Sequence, residues 1–286
     1  MTTPSFDPVQ YKAEQRQNWN AAATGWKRWW KTLEQGAQPV SDRLVELAGI
    51  QPGQLVLDLA TGIGEPAITA ARIVGPTGRV VAIDQAPQML TIARERAASL
   101  GLQNIDFVEM DAEALEFPAY VFHGILCRWG LMFLPNLATA LRRMRGLMTA
   151  DGRLATAVWG PPATVPLITV AMNTVRQQLQ APPPPPGVPG PFSLADVPVF
   201  EQALSKAGFT GIRSERLTVT FEWTSAEAYT EFQQAISAPI KTLLANEPIE
   251  RQEHIWRAVT DAARTHAGPD GALKLRNEAI CVTASR

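Results

Sequence analysis

Residues 55–64 of the chain read LVLDLATGIG, an apolar run that contains one acid, Asp58, and leads directly into a glycine-rich turn. The apolar run predicts a buried strand. Gly62 and Gly64 permit backbone angles closed to other residues and leave no side chain between the main chain and a ligand. Pro66 suits the first turn of a helix, and the apolar residues after it recur with helical spacing. This order of strand, glycine turn and helix predicts a binding corner for a nucleotide-type ligand.

A second apolar strand is predicted over residues 80–83, and Asp84 follows it, twenty residues after Gly64. In nucleotide-binding folds an acid at this offset hydrogen-bonds a ribose diol. The segment GIGEPA at 62–67 also satisfies the loose dinucleotide pattern G-x-G-x-x-G/A. The turn by itself therefore leaves a dehydrogenase open.

Three further features argue against a dinucleotide site. Asp58 lies within the first strand, four residues before the glycines, and Ala60 stands at the first glycine of a D-x-G-x-G-x-G arrangement. A third predicted strand, residues 105–108, is followed by MDAE at 110–113, which offers an acid and a main-chain N–H to an adenine edge. A fourth, residues 121–127, ends in the tripeptide RWG. This order of segments differs from the dinucleotide pattern.

These segments resemble the class I S-adenosylmethionine-dependent methyltransferases, and among them the small-molecule branch similar to the ubiquinone/menaquinone methyltransferases. The matching stretches are LVLDLATGIGEPAI (55–68), VVAIDQAPQML (80–90), FVEMDAEAL (107–115) and ILCRWGLMFLPNLATALRRMRGLMTADGRLA (125–155). The resemblance extends over roughly residues 9–159 and again over the C-terminal strands. It implies an α/β, Rossmann-like fold, with a seven-stranded, mostly parallel sheet whose last strand is antiparallel. Helices would cover both faces, with further N-terminal helices and a helical insertion between strands six and seven.

The resemblance also implies a cofactor, S-adenosyl-L-methionine, whose product is S-adenosyl-L-homocysteine. It places the methionine half along the glycine turn, with Asp58 supporting the turn, and the ribose hydroxyls on Asp84. Gln85 and Met89 would flank the adenine, and Asp111 would accept a hydrogen bond from its exocyclic amine. The implied cofactor-binding residues are Asp58, Ala60, Thr61, Gly62, Gly64, Asp84, Gln85, Met89, Asp111, Ala112, Cys127 and Arg128.

Methyl transfer from a sulfonium is a direct displacement, so the alignment of the two reactants matters more than acid or base catalysis. Orientation of two bound reactants removes roughly 7 to 11 kcal/mol of barrier. A base is needed only for a neutral hydroxyl or an unactivated carbon. The candidates for catalytic roles are Arg128, His254 and Tyr11. The guanidinium of Arg128 either pairs with a carboxylate or phosphate of the acceptor or makes an internal ion pair with Glu65 or Asp58.

Four of the eight tryptophans lie in the first thirty residues, and Trp19, Trp26 and Trp30 share one face of a predicted helix. Such a stripe either seats a helix on the core or contributes to the wall of a pocket. In the resembling family the N-terminal helices close over the cofactor, which implies an acceptor pocket here. Its residues would be Tyr11, Trp26, Trp30, Trp129, Met132 and Phe133. They predict a small, mostly apolar acceptor, with aromatic and prenylated molecules as candidates, methylated on carbon, oxygen or nitrogen.

With 286 residues and 46 % hydrophobic content, the chain can bury a substantial core. The predicted divisions are an N-terminal helical segment or lid (1–50), a Rossmann-like core (51–160 and 195–286), a Pro-rich connection (161–194) and a helical substrate-side insertion (224–271). The first contains a short helix from Ser41 to Ala48, capped by Ser41. The connection, with five prolines at 182–186, is predicted to be extended. The insertion is predicted to be part of a lid, the alternative being a surface elaboration without contact to substrate.

The charge balance and the cysteine content limit the kinds of partner and site that the sequence predicts. The chain has 26 basic and 27 acidic residues, a balance that attracts no polyanion, so we predict no nucleic-acid partner. The N-terminal residues MTTPS lack the features of a signal peptide, and no segment approaches the ~18 apolar residues of a transmembrane span, which predicts a cytoplasmic protein. Cys127 and Cys281 fall on predicted interior strands and predict neither a disulfide nor a metal site. We expect a monomer or homodimer that acts on a small-molecule acceptor.

Three functional hypotheses stay open on the sequence. The first is the methyltransferase just described. The second is a nicotinamide-dependent oxidoreductase, which only the glycine turn supports, since no tyrosine and lysine stand at a spacing of four. The third is a non-catalytic S-adenosylmethionine-binding protein that acts through its proline-rich segment or its helical insertion.

Overall fold

The computed structural model of the chain describes residues 6–119, 121–183, 185 and 187–286. In this part of the chain, one sheet contains seven strands: β1 (Leu55–Leu59), β2 (Arg79–Asp84), β3 (Ile105–Glu109), β4 (Phe122–Arg128), β5 (Met148–Trp159), β6 (Thr210–Trp223) and β7 (Leu273–Ser285). Their order across the sheet is β3-β2-β1-β4-β5-β7-β6, and β7 runs antiparallel to both of its neighbours. The predicted Rossmann-like sheet with an antiparallel last strand is confirmed.

Helices cover both faces of this sheet. They are α1 (Pro8–Ala48), α2 (Ala67–Val74), α3 (Pro87–Ser99), α4 (Leu137–Leu147), α5 (Pro166–Leu179), α6 (Val197–Lys206), α7 (Ala226–Ile236), α8 (Ala238–Leu244) and α9 (Ile249–Arg264). Successive side chains of a strand point to opposite faces. On β4, Leu126 accordingly belongs to an apolar cluster that includes residues of α1, α2, α5, α7 and α9, whereas Ile125 and Cys127 belong to a cluster that includes residues of α4 and α6. The sheet therefore separates two apolar clusters, and the edge formed by the carboxyl ends of its parallel strands stays free for a ligand.

The N-terminal region forms one long helix. α1 has 41 residues and begins after Asp7, whose carboxylate accepts a hydrogen bond from Val9 N at 2.9 Å. The predicted short helix capped by Ser41 is wrong, because Ser41 lies inside α1 and is completely buried. The helix continues through Pro39 because it packs against β4, β5, β6 and β7, and such packing outweighs the local cost of a proline.

The segment 161–194, predicted as an extended Pro-rich connection, contains a helix. α5 packs against α9 and buries Leu167, Ala171 and Val175, which recur every four residues. Pro166 is compatible with the first turn of this helix, so the prolines flank it instead of breaking it. Pro184 and Pro186 of the predicted run lie outside the described residues, as do the first five residues, on which the signal-peptide prediction rests.

The predicted insertion, residues 224–271, contains α7, α8 and α9. α7 packs against α1 and α9, and α8 contacts α1. None of the helices in the described parts of the chain has the length and apolar character that a membrane crossing requires. The division of the chain into domains remains a prediction.

Candidate active site

A cavity of about 280 Å³ opens at the carboxyl ends of the parallel strands. The cavity has a polar half and an apolar half, each defined by the residues that line it. The polar half is lined by loop residues after β1, β2 and β3, at 60–65, 84–85 and 110–112. The apolar half is lined by side chains from α1, α5, α7 and the ends of β5 and β6: Leu33, Trp159, Leu167, Ile168, Met172, Phe221, Phe232, Gln233 and Ile236. Ligands of open α/β sheets bind at this edge.

The glycine turn shapes the polar half. Ala60, Gly62 and Gly64 all have positive φ, at 53°, 55° and 109°. A Cβ on Gly62 would meet no atom within 4 Å, whereas a Cβ on Gly64 would lie 2.9 Å from Ile68 Cδ1. Gly64 therefore permits close packing of α2. Gly62, which lines the cavity, leaves space that a side chain would fill.

Asp84 faces this turn from the end of β2. Its Oδ2 accepts a hydrogen bond from Gly62 N at 2.8 Å, and its Oδ1 accepts one from Ala86 N at 2.9 Å. Burial raises the pKa of Asp84 to about 6, although hydrogen bonds from Ala86, Gly62 and Gln85 oppose the rise. Each carboxylate oxygen keeps a second lone pair. The side chain thus has the orientation and the free acceptor capacity that a ribose-binding acid needs.

Asp58 lies behind the wall of the cavity. It is completely buried, and its Oδ2 accepts a hydrogen bond from Ala67 N at 3.1 Å, at the start of α2. Burial raises its pKa to about 7. Asp58 therefore ties β1 to the helix that follows the glycine turn.

The first turns of α1 cover the polar half. Lys12 Nζ lies 2.6 Å from Asp111 Oδ2 and 3.2 Å from Glu113 Oε2. Asp111 Oδ1 accepts a hydrogen bond from Glu113 N at 2.8 Å. Tyr11 OH donates to Pro189 O at 3.2 Å, which fastens α1 to the proline-rich segment. No sequence motif indicates Lys12, because it lies at the start of a helix and its partner lies on a loop ninety-nine residues away.

Arg128 lines the cavity at the end of β4. Its Nη1 donates to Ser41 Oγ at 2.8 Å and to Ala37 O at 3.4 Å. Among the described residues no carboxylate oxygen lies within 4.0 Å of the guanidinium, although Glu65 and Asp58 attract it at longer range. Burial lowers the pKa of Arg128. The predicted internal ion pair is thus absent as a direct contact within the described chain, and the cation keeps donors for a ligand.

Trp129 follows with an unusual backbone conformation. Its φ is 59°, a strained value for a bulky residue. Its ring stacks on Trp159 with centroids 4.1 Å apart and planes 13° apart, and its backbone N–H donates to Ala157 O at 2.8 Å. These contacts hold a flat aromatic surface against the cavity.

The structure brings most of the predicted site residues together. Those that line the cavity are Ala60, Thr61, Gly62, Asp84, Gln85, Met89, Asp111, Ala112 and Arg128, with Tyr11, Trp26, Trp129, Met132 and Phe133 of the predicted acceptor pocket. Asp58, Gly64 and Cys127 lie behind its wall. Trp30 lies outside it and packs under the guanidinium of Arg96, 5.0 Å from the ring centroid. His254 is exposed on α9 and outside the cavity, which removes it as a catalytic candidate.

The apolar half also contains residues that no sequence pattern indicates. α5 contributes Leu167, Ile168 and Met172, and β6 contributes Phe221. Within the predicted insertion, α7 and the start of α8 line the cavity, from Phe232 to Pro239, whereas α9 does not. Helical periodicity in the insertion signals α7, but nothing in the sequence indicates which of its faces meets the sheet edge.

The chain is similar to known methyltransferases. Residues 56–152 match the sequence profile of the family described as a methyltransferase domain. The ubiquinone/menaquinone biosynthesis C-methyltransferase UbiE of Ectopseudomonas mendocina is 37 % identical over 131 residues, which cover 46 % of this chain and 51 % of that protein. The aklanonic acid methyltransferase DauC of Streptomyces sp. strain C5 is 36 % identical over 143 residues, which cover 47 % of this chain and 65 % of that protein.

The YcgJ protein of Bacillus subtilis shares the fold, with a TM-score of 0.57 at 16 % identity, covering 86 % of this chain and 97 % of that one. The chain spans about half the length of the UbiE protein that it matches. Residues 56–152 therefore contain a methyltransferase domain, and the chain is similar in sequence to UbiE and DauC over less than half of its length. These matches do not favour a nicotinamide-dependent oxidoreductase.

Proposed function

We propose that this protein transfers a methyl group from S-adenosyl-L-methionine to a carbon, oxygen or nitrogen atom of a small, mostly apolar acceptor, with S-adenosyl-L-homocysteine as the product. One observation carries the proposal. Asp84 at the end of β2 faces the glycine turn after β1 across a common cavity, and Gly62 leaves that cavity open. The match of residues 56–152 to a methyltransferase domain supports the same conclusion.

The residues present fit the cofactor. The space beside Gly62, which a Cβ would fill, suits its methionine half, and the Asp84 carboxylate has lone pairs for its ribose hydroxyls. Asp111 and the main chain at Ala112 line the cavity where the adenine would lie. When bound, the cofactor supplies an electrophilic methyl group on a sulfonium. In this proposal the protein chiefly orients the two reactants, and Arg128 binds an anionic oxygen of a ligand.

The apolar half would hold the acceptor. Its surface consists mainly of aromatic and aliphatic side chains, with the Trp129–Trp159 stack on one side. Such a surface suits an aromatic or prenylated molecule, because burial of apolar area contributes roughly 25 cal/mol per Å². The names of the two relatives, one a C-methyltransferase of ubiquinone/menaquinone biosynthesis and the other an aklanonic acid methyltransferase, support a small-molecule acceptor. We further propose that the protein is a cytoplasmic monomer or homodimer without a nucleic-acid partner.

Calorimetric titration of the whole chain with S-adenosyl-L-methionine tests the proposal, with NADH as the competing ligand. We expect micromolar affinity for S-adenosyl-L-methionine and no heat of binding for NADH. Steady release of S-adenosyl-L-homocysteine in the presence of aromatic acceptors would then separate an enzyme from a non-catalytic binding protein. Tight binding of NADH together with no binding of S-adenosyl-L-methionine would contradict the proposal.

A further inference from the structure

The apolar half of the cavity contains a carboxamide. Gln233 lies on α7 between the apolar residues Phe232 and Ile236, which also line the cavity. Its residue surface is 4 % exposed. A polar side chain this deeply buried normally has its hydrogen bonds satisfied, because each unmade one costs about 1–3 kcal/mol. The partners of Gln233 therefore show what its amide is free to do.

The nitrogen of this carboxamide is committed to the protein. Gln233 Nε2 donates to Leu167 O at 2.7 Å, and since a carbonyl oxygen only accepts, this contact fixes which end of the amide is nitrogen. Tyr229 OH donates to the same carbonyl at 3.0 Å. Burial raises the pKa of Tyr229, and hydrogen bonds from Ala171 N and from the Gln233 side chain oppose the rise. The amide nitrogen is thus held against Leu167 O, which also accepts from Tyr229.

The oxygen of the Gln233 carboxamide is not committed in this way. Within the described part of the chain, no group donates a hydrogen bond to Gln233 Oε1, and this atom is not sealed away from solvent. Because Gln233 is almost completely buried and lines the cavity, the cavity is the space that its oxygen meets. The amide therefore presents a fixed hydrogen-bond acceptor to whatever fills the apolar half.

We propose that Gln233 Oε1 determines acceptor specificity by accepting a hydrogen bond from a hydroxyl or N–H group on the part of the methyl acceptor that enters the apolar half. The inference rests on the proposed function and narrows its substrate class to flat apolar molecules that carry such a donor, with hydroxylated aromatic compounds as the simplest case. A site that hydrogen-bonds a hydroxyl discriminates against an analogue lacking it, because the buried protein group is then left without a partner.

The test compares two probes of the same shape, naphthol and the fluoronaphthalene of the same substitution pattern, which differ in hydrogen-bond donation. Each is titrated calorimetrically into protein saturated with S-adenosyl-L-homocysteine. We expect wild-type protein to bind naphthol about tenfold more tightly, the effect of one hydrogen bond to a buried acceptor. In Gln233→Met, which keeps the side-chain length, the two affinities become equal. Gln15→Met, at a glutamine of α1 that also lines the cavity, keeps the tenfold ratio.

The ratio is measured within one variant, so it is insensitive to a loss of stability in Gln233→Met, and thermal unfolding of each variant is recorded beside it. Equal affinities in wild-type protein, or a preference for naphthol that persists in Gln233→Met, would overturn the role of Gln233. Failure of wild-type protein to bind S-adenosyl-L-methionine in the calorimetric titration described above would overturn the proposed function instead, and the inference with it.

Discussion

The two halves of the cavity are built in different ways. The polar half comes from short loops after consecutive parallel strands, so its residues form runs in the sequence at 60–65, 84–85 and 110–112. The apolar half is assembled from side chains of α1, α5, β6 and α7, which are separated by up to about two hundred residues. A sequence motif can therefore describe the first half, whereas only the folded chain defines the second.

The chemistry of recognition differs in the same way. Backbone geometry and one carboxylate dominate the polar half, at Gly62 and Asp84. Side-chain shape dominates the apolar half, where the Trp129–Trp159 stack and Gln233 face the cavity. We therefore expect changes in the polar half to act on cofactor affinity and changes in the apolar half to act on the choice of acceptor.

The largest effect is expected at Asp84. Asp84→Asn should weaken binding of S-adenosyl-L-homocysteine about 100-fold, since hydrogen bonds to a charged group contribute about 1.5–3 kcal/mol. Burial raises the pKa of this acid to about 6 in the free protein, and the ribose hydroxyls donate to its ionised form. Wild-type affinity should accordingly fall as the pH is lowered through about 6, and the variant should lose that pH dependence. Calorimetry from about pH 5 to about pH 8 measures the affinity of the wild type and of the variant on both sides of this pKa.

A matched control for this variant is Asp106→Asn. Asp106 lies on β3, pairs with Arg79 and is partly exposed outside the cavity. We expect its affinity and pH profile to equal those of the wild type. If Asp84→Asn behaves like Asp106→Asn, the ribose assignment is wrong.

A second effect concerns the contact between α1 and α7, two of the helices that enclose the apolar half. A Cβ on Gly25 would lie 2.7 Å from the carbonyl carbon of Ala235 and would overlap its oxygen. Gly25→Ala should therefore destabilise the protein by about 1–3 kcal/mol, the range for overpacking. Gly146→Ala on α4, where a Cβ meets no atom within 4 Å, should stabilise it by about 0.5–1 kcal/mol. Urea unfolding of both variants measures the difference, and equal stabilities would refute the close approach.

The smallest effect is expected at the ion pair that closes the polar half. Lys12→Met removes the contacts to Asp111 and Glu113, so S-adenosyl-L-homocysteine should dissociate about threefold faster, in keeping with the modest strength of partly exposed ion pairs. Lys27→Met, on the same helix, removes a pair with Glu95 outside the cavity and should leave the rate unchanged. Stopped-flow displacement at low salt measures both rates. Identical rates for the two variants would mean that Lys12 does not restrain the ligand.

The difference between the polar and the apolar half also explains which parts of the molecule the sequence predicts. Strands β1 to β4 and the loops after them could be predicted, because apolar runs, glycines and acids alternate there at short range. The continuity of α1 could not, because contacts with four strands stabilise the helix through Pro39. Helix α5 could not be predicted, because prolines flank it and its apolar residues are explained only by their packing against α9. Lys12 and Gln233 were missed because their partners are distant in the sequence.

A crystal structure of the protein grown with S-adenosyl-L-homocysteine would show directly whether Asp84 and the glycine turn bind the cofactor. We expect the ribose hydroxyls to lie within hydrogen-bond distance of the Asp84 carboxylate. The homocysteine end would follow the turn at 60–64, and the sulfur would point toward the apolar half. Electron density that places the adenosine among Phe221, Phe232 and Met172, or elsewhere than against Asp84, would contradict it.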